Sequence, residues 1–356
     1  MAENASKREQ QSVAPDDPRK PDSPTQLDGQ SWKYVIKKTF REFSADQCTD
    51  LAAALTYYAV LAIFPAILAA LSILGLFGEA ERTTDAVLDI IGGFIQDSQT
   101  LEAIKGPVES LTSQPAAGLA FVTGLLGALW SASGFVGAFS RAMNRIYGIE
   151  EGRGFLKLRP MQLGVTIVAV LLLTVAAVLL VLSGPVAEAI GNVIGLGEAA
   201  LVVWNIAKWP VIVAIAVFVL ALLYYAAPNV KQPKFKWTSI GSIVALVVWA
   251  LATVGFAIYV SNFSNYDATY GSLGGVMALL LWIWISNNAL LLGAELDSEL
   301  ERGRELQAGL EAEETLKLPP RDTKASDKKA DQRAADRLTG WRIRRYYERH
   351  PEERKD

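Results

Sequence analysis

Long apolar stretches alternate with short polar ones through the middle of this 356-residue chain. Six of the apolar stretches are long enough to cross the hydrocarbon core of a bilayer, which is about 30 Å thick, as helices rising about 1.5 Å per residue. They lie at approximately residues 52–77, 117–139, 161–183, 201–226, 239–261 and 273–295. The pattern predicts an all-α integral membrane bundle of six transmembrane helices.

The segments around these spans divide the chain further. Residues 1–30, rich in Pro, Asp, Ser and Gln, are typical of a disordered tail. Residues 31–47 place apolar side chains at helical spacing between lysines, which predicts an interfacial amphipathic helix on the anionic inner leaflet. The six-helix domain then covers 31–299, with short extracytoplasmic helices between its first two spans. Residues 300–356 form a charged tail.

Connections rich in Lys and Arg alternate with connections that hold few or none, and this alternation predicts an orientation in the membrane. The second-to-third connection is basic, as are the residues before the first span and the fourth-to-fifth connection, whereas residues 184–200 contain neither Lys nor Arg. Positive charge marks the cytoplasmic side of short membrane loops. The alternation therefore predicts a multi-pass inner-membrane protein with both termini in the cytoplasm and anionic lipid headgroups as partners.

Composition argues against several kinds of chemistry. The single cysteine, Cys48, excludes an internal disulfide framework, and the single histidine, His350, lies in the polar C-terminal tail. The formal net charge is −3 without a long block of like charge, which is not typical of a nucleic-acid-binding protein. We expect no catalytic residues, no metal site, no cofactor and no nucleic-acid partner. Homo-oligomerisation stays open.

Charged side chains near one membrane edge suggest a first candidate site. Topology brings the start of span one and the ends of spans two and six to the cytoplasmic side. Since unpaired charge inside a membrane is costly, we expect a paired cluster that closes a central cavity there. Its members are Asp50, Arg141, Asn144, Arg145 and Glu295. The alternative is that the arginines simply reach lipid headgroups.

Polar, aromatic and glycine residues within or between the spans suggest a second candidate site. Several of them follow span five in the stretch YVSNFSNYDATYGSLGG, which holds one formal charge. We expect them to line a cavity or an outer vestibule, although an aromatic belt with a tight turn also fits the stretch. The residues are Tyr57, Tyr58, Pro65, Asn262, Asn265, Tyr266, Tyr270, Gly271, Gly274, Asn287 and Asn288.

Three separated motifs resemble the YihY/virulence factor BrkB family. They are LAAALTYYAVLAIFPAIL, LWSASGFVGAFSRAMNRIYG and FAIYVSNFSNYDATYGSLGGVMALLLWIWISNNALLLGAEL, and the resemblance runs from about Ser31 to Glu299. It implies a six-span bacterial inner-membrane protein with cytoplasmic termini. Members of the family have also carried the label of a tRNA-processing ribonuclease. Ribonuclease activity is not expected, because the one histidine lies in the C-terminal tail and the carboxylates are dispersed along the sequence.

The polar residues at depth and the interrupted helices favour transport. We expect a lipid, or an amphiphilic or anionic solute, to move through a polar-lined cavity between the helices. The alternative is a non-transporting protein of membrane assembly or envelope integrity. We expect no enzymatic activity.

Overall fold

The computed structural model describes residues 12–75, 119–181, 198–233, 235–261 and 272–353. Within these ranges the structure is helical apart from an isolated β-bridge between Val230 and Pro320, so the all-α prediction is confirmed. The α-helices of the described residues are α1 (Gly29–Ala45), α2 (Cys48–Gly75), α3 (Leu119–Ile146), α4 (Phe155–Val181), α5 (Glu198–Ala226), α6 (Phe235–Ser261), α7 (Ser272–Gln307) and α8 (Lys324–Arg349).

Four helices are long and apolar enough, by length and composition, to cross a membrane. They are the segments Phe155–Leu180, Val202–Ala226, Ile240–Ser261 and Gly274–Gln307, which coincide with the third to sixth predicted spans. Helices α2 and α3 occupy the places of the first two, although the described part of α2 contributes only the shorter apolar helix Cys48–Ile63. The count of six spans therefore stays a prediction.

Helices α2 to α7 form a closed ring. Each helix contacts the next along the chain, and α7 returns to contact α2. Because chain neighbours run in alternating directions, the first residues of α2, α4 and α6 lie at the same end as the last residues of α3 and α5. We call this the packed end of the ring and its opposite the far end.

Helix α1 lies outside the ring against α7. It begins at an Asp28 cap, whose Oδ1 accepts a hydrogen bond from the Ser31 amide at 2.6 Å. Val35 is fully buried beside Leu296 and Leu300 of α7, while Phe40 is exposed. The amphipathic helix predicted at 31–47 is thus present, with an apolar face divided between α7 and the surface.

Packing is dense at the packed end. Phe139 and Tyr224 stack with ring centres 5.9 Å apart, and the Tyr224 hydroxyl donates a hydrogen bond to the Leu290 carbonyl of α7. Helices α6 and α7 cross so closely that a Cβ on Gly241 would lie 2.3 Å from the Gly293 carbonyl oxygen. Four helices, α3, α5, α6 and α7, therefore share one solid core at this end.

The two tails fold back onto the packed end. Helix α7 continues past the predicted span to Gln307, so the charged tail begins within a helix. Residues 12–28, which composition assigns to disorder, are instead held against that extension: the ammonium of Lys20 lies 2.7 Å from Glu301 and 3.3 Å from Glu305. The composition-based prediction missed these long-range ion pairs. Residues 1–11 lie outside the described residues.

Candidate functional site

The predicted charge cluster forms in part, around Glu295. This side chain is 0% exposed, and its Oε1 accepts a hydrogen bond from the Cys48 thiol at 3.3 Å. Its Oε2 has no hydrogen-bond partner among the described residues. A second carboxyl group, that of Asp46 in the linker between α1 and α2, lies near enough to interact electrostatically with Glu295. Arg145 Nε lies 3.8 Å from Asp46 Oδ1.

Asp50 and Arg141 do not join this cluster. Asp50 is exposed, one helical turn beyond the linker that carries Asp46. The Arg141 guanidinium instead lies over the Tyr58 ring, 5.3 Å from its centre. Burial raises the pKa of the Asp46 carboxyl, although the nearby Arg145 acts in the opposite direction. The carboxyl that faces Glu295 is thus four residues away from the one that sequence spacing suggested.

Asn144 belongs to a different arrangement, which we call the loop junction: residues 144–153, 225–231 and 316–323. Its Oδ1 accepts the Asn229 amide at 2.7 Å, and its Nδ2 donates to Glu151 at 3.0 Å. Arg153 pairs with Glu151 at 2.7 Å and donates to the Ala227 carbonyl. The junction therefore joins both basic connections to the C-terminal segment and closes the packed end.

Several predicted lining residues serve helix packing. Asn287 is buried, and its Nδ2 donates to Thr56 Oγ1 across the contact between α7 and α2 at 3.2 Å. Asn288 donates to the Trp284 carbonyl of its own helix. Tyr57, by contrast, is 62% exposed. Of these three, only Tyr57 presents its polar group to an open surface.

The remaining lining residues fall at or beyond the edge of the described part of the chain. Gly274 begins the apolar segment of α7 and is half-buried. Pro65 lies within α2, but its side chain is outside the described residues. So are Asn262, Asn265, Tyr266, Tyr270 and Gly271, as well as the extracytoplasmic helices predicted between the first two spans.

Among the described residues, the far half of the ring is open, in contrast with the packed end. Residues 257–261 of α6 are exposed one after another, as are residues 202–204 of α5 and 279–281 of α7. Since consecutive helical residues point about 100° apart, each run exposes more than one side of its helix, although the Trp282 indole of α7 still donates a hydrogen bond to Thr253 of α6. A Cβ on Gly255 or Gly275 would meet nothing within 4 Å, unlike one on Gly241 or Gly293.

A cation lies beside this opening on α5. Lys208 is 7% exposed and donates a hydrogen bond to Asn205 Oδ1 at 3.1 Å, and its ammonium lies 5.8 Å from the Trp209 ring centre. Pro210 follows inside the helix, and because proline has no N–H the Ile206 carbonyl loses its usual intrahelical donor. The Lys208 ammonium and the Ile206 carbonyl, which lacks its helical hydrogen bond, therefore lie within one turn of each other in the far half of α5.

Sequence reasoning missed two polar contacts at the packed end. Asp297 is buried and accepts the Gly241 amide on its Oδ1 at 2.8 Å, while its Oδ2 has no hydrogen-bond partner among the described residues. Gln162 is buried against Gly137 of α3 and accepts from Arg159 at 3.4 Å. Nothing in the spacing of Asp297 along the sequence distinguishes it from a solvated neighbour.

Most of the chain matches the model of a known protein family. The family described as Virulence factor BrkB matches residues 39–315, which cover the six helices from α2 to the ring-closing α7 together with the last residues of α1. The chain belongs to the virulence factor BrkB family. The family resemblance carried by the three sequence motifs is thereby confirmed, and the chain is a membrane protein with several apolar helices.

Curated relatives of this BrkB-family chain carry two kinds of name. The ribonuclease-like protein YfkH of Bacillus subtilis is 30% identical over 271 residues, covering 76% of this chain and 96% of its own. A UPF0761 membrane protein of Alkalilimnicola ehrlichii is 29% identical over 283 residues, covering 77% of this chain but 61% of its own. One from Aggregatibacter aphrophilus is 26% identical over 274 residues. No solved structure matches the chain.

Proposed function

We propose that this BrkB-family protein translocates a lipid, or an anionic amphiphile, through the ring of helices. In this proposal α2 to α7 are six transmembrane spans of the bacterial inner membrane, the packed end faces the cytoplasm, and both termini lie there. The basic connections that join the loop junction support this orientation, because positive loops stay on the cytoplasmic side.

The contrast between the two ends of the ring carries the proposal. The packed end is closed by a solid core, whereas the described parts of the far halves of α5, α6 and α7 carry runs of exposed side chains. A ring with one closed end and one more exposed end fits one state of an alternating-access transporter.

The chemistry of the opening favours a lipid over a hydrophilic solute. Its exposed side chains are mostly aliphatic, and Ile206, Leu251 and Ile258 are each more than half exposed. Apolar walls that were in contact only with water would be unfavourable by about 25 cal/mol for each Å². Acyl chains remove that cost.

The alternative is a non-transporting assembly protein, in which a second protein chain covers the same apolar surface. Exposed apolar patches mark protein contacts as well as lipid sites. The two proposals differ in stoichiometry: assembly requires an oligomer whose contact lies on the far halves of α5 to α7. Counting bleaching steps of single labelled molecules in nanodiscs separates them, since a monomer that translocates lipid excludes the assembly alternative.

Fluorescent-lipid translocation in reconstituted vesicles tests the path. A bulky residue at the two open glycines, as in the Gly255→Trp, Gly275→Trp variant, occupies the far half without touching the packed core. We expect that variant to unfold at the same temperature as the wild type and to translocate lipid more slowly. An unchanged rate would contradict a path through the opening.

We do not extend the ribonuclease-like name of the relative to this chain. The expectation that it has no ribonuclease activity stays a prediction, resting on a single histidine, His350, at the exposed end of α8. Incubation of the purified protein with labelled tRNA precursor tests it directly.

A further inference from the structure

Helix α8 is fastened to the loop junction near its start and is exposed beyond it. The Ala325 amide donates a hydrogen bond to the Gly152 carbonyl at 2.8 Å, and Arg333 Nη2 lies 2.7 Å from Glu150 Oε2. Every residue from 334 to 349 is exposed. Because successive helical residues point about 100° apart, the second half of α8 presents side chains around its whole circumference.

This exposed half is basic and also rich in large apolar side chains. Residues 337–349 read RLTGWRIRRYYER, and five arginines against one glutamate give them a formal charge of +4. The large apolar side chains are each 40–56% exposed: Leu338, Trp341, Ile343, Tyr346 and Tyr347. Cations interleaved with exposed aromatic and aliphatic side chains are typical of a segment that lies on a membrane surface.

One side of the helix combines both kinds of side chain. Five positions spaced i, i+3, i+4, i+7 and i+11 share that side, and we call them the basic stripe: Leu338, Trp341, Arg342, Arg345 and Arg349. The Arg345 guanidinium lies 5.5 Å from the Trp341 ring centre, so an aromatic ring and a cation of the stripe are in contact.

The acidic side chains of α8 do not cancel the basic stripe. Glu348 lies beside it, 3.8 Å from Arg345 Nη1, but both side chains of this pair are exposed, and exposed pairs are weak. Asp336 falls on the opposite side of the helix. Asp331 lies eleven residues before Arg342, about 16 Å along the axis and beyond the screening length of about 8–10 Å.

The start of α4 relates α8 to the membrane. Phe155 and Leu156, in the first turn of α4, are 63% and 86% exposed. In a spanning bundle, such exposed apolar side chains at the start of a helix lie at the edge of the hydrocarbon. Gly152, three residues earlier, accepts the Ala325 amide of α8. Helix α8 therefore begins close to the level of the lipid headgroups.

The side chains of the stripe match an anionic lipid surface. Arginines place their stems along apolar surface and their charge among headgroups, and tryptophan and tyrosine favour the same layer. A nucleic acid would also attract the arginines, but contacts to its phosphates would leave Leu338 and Ile343 uncovered. We propose that residues 337–349 bind the surface of an anionic bilayer, with the basic stripe turned towards the headgroups.

This inference goes beyond the proposed function, because it concerns the C-terminal helix and not the ring. It rests on the proposed function only for the choice of leaflet, which is the cytoplasmic one when the packed end faces the cytoplasm. Attraction between basic segments and anionic headgroups falls off within a screening length, so the contact should depend on the lipid charge.

Spin-label accessibility of the full-length protein in nanodiscs tests the site. A nitroxide is attached at Leu338→Cys on the stripe or at Gly340→Cys on the opposite side, where a side chain meets nothing within 4 Å. The native Cys48 is fully buried and stays unlabelled. The measured quantity is the collision rate of the label with a neutral, water-soluble nickel complex.

The lipid composition of the disc should change that rate on one side of the helix alone. From phosphatidylcholine discs to discs that contain phosphatidylglycerol, we expect the rate at Leu338→Cys to fall about fivefold or more. The rate at Gly340→Cys should change by less than about twofold, because that side faces water.

Removal of stripe charge should abolish the protection. In the Leu338→Cys protein, Arg342→Gln, Arg345→Gln should restore the rate found in phosphatidylcholine discs. Lys328→Gln, Lys329→Gln is the matched control, since it removes the same charge from the first half of the helix, and it should keep the protection. All four side chains are exposed, so the unfolding midpoints should stay unchanged.

Several outcomes would overturn the proposal. Equal rates in the two kinds of disc would do so, as would protection that survives in Arg342→Gln, Arg345→Gln. Protection that appears only after tRNA is added would assign the stripe to nucleic acid instead, and protection in detergent that rises with protein concentration would assign it to a second copy.

These measurements separate the site from the proposed function. Both faces of a nanodisc carry the same lipid, and binding of α8 needs no translocation. Lipid-dependent protection without translocation therefore supports this site while contradicting the proposed function, and translocation with equal rates in both discs does the reverse.

Discussion

Gly241 and Gly293 bring α6 and α7 into backbone contact. A Cβ on Gly293 would lie 2.5 Å from the Gly241 carbonyl oxygen and 2.7 Å from the Tyr224 hydroxyl. The same hydroxyl donates to the Leu290 carbonyl, so the crossing ties α5 to α7 as well. This contact is the most direct sign that the packed end is a solid core rather than a gap.

The same substitution at two glycines of α7 should have opposite effects. Gly293→Ala forces α6 and α7 apart and should destabilise the protein by about 1–3 kcal/mol. Gly275→Ala meets open space within the same helix and should be neutral or stabilise by about 0.5–1 kcal/mol, because alanine loses less backbone entropy. Thermal unfolding of both variants in one detergent checks this, and equal midpoints would contradict the contrast between the two ends.

Asn229 should be the most sensitive residue of the loop junction. It is fully buried, and its Nδ2 donates to the carbonyls of Glu150 at 3.0 Å and Asp322 at 2.8 Å. Asn229→Ala leaves both carbonyls without that donor, so we expect a loss of about 2–4 kcal/mol.

Asn288→Ala is the control for Asn229→Ala, since within the described part of the chain the Asn288 side chain bonds only to the Trp284 carbonyl of its own helix. It should change the unfolding midpoint much less. Reaction of Cys48, which is fully buried, with a fluorogenic maleimide reports unfolding of both variants. A comparable loss in the two would show that the junction does not hold the packed end together.

The ion pair between Glu151 and Arg153 should make the stability of the protein depend on pH. Burial alone raises the pKa of the Glu151 carboxyl, but hydrogen bonds from Arg153 and Asn144 and the charge of Arg153 outweigh it, so the pKa lies below its ordinary 4.5. A folded pKa below the unfolded one gives stability that is complete above the unfolded pKa and is lost as the pH falls through the folded pKa.

Glu151→Gln should therefore be less stable than the wild type at neutral pH, by about 1–3 kcal/mol, with a difference that narrows below about pH 4. Tryptophan fluorescence during thermal unfolding at several pH values measures it. Glu150→Gln is the matched control, because that neighbour pairs with Arg333 at the surface. A difference that stays constant from pH 7 to pH 3.5 would rule out this electrostatic origin.

Lys20 should hold the N-terminal segment onto α7. Its side chain is 0% exposed between Glu301 and Glu305. Lys20→Met leaves two buried carboxylates with less compensation, and losing one partner of a buried pair costs about 3–5 kcal/mol. Arg19→Met, next in the chain but 58% exposed, should leave the unfolding midpoint unchanged. Equal midpoints for Lys20→Met and the wild type would show that residues 12–28 are not fastened there.

Much of the helical framework follows from the sequence alone, because apolar length is a local property. The third predicted span, 161–183, falls on Phe155–Val181, and the fourth, 201–226, falls on Glu198–Ala226. Helix α4 begins six residues before the predicted span, because its first turns contain Lys157, Arg159 and Pro160, which an apolar-length criterion leaves out.

The partners of the polar residues could not be predicted in the same way. Asp46 rather than Asp50 faces Glu295 because the positive φ of Gln47 turns the linker between α1 and α2, which spacing does not reveal. Lys20 and Glu301 are 281 residues apart in the sequence, so no local pattern links them. Arg141 and Arg159 look like ordinary basic residues near a connection until Tyr58 and Trp130 are placed beside them.

The proposed function requires that the protein moves lipid between leaflets. This is measured as the extent to which dithionite bleaches fluorescent phosphatidylglycerol in vesicles that contain the purified wild-type protein, compared with protein-free vesicles. We expect bleaching to exceed the outer-leaflet half in the protein-containing vesicles and to stop near one half in the protein-free ones. Identical curves, with the protein folded and inserted, would contradict it.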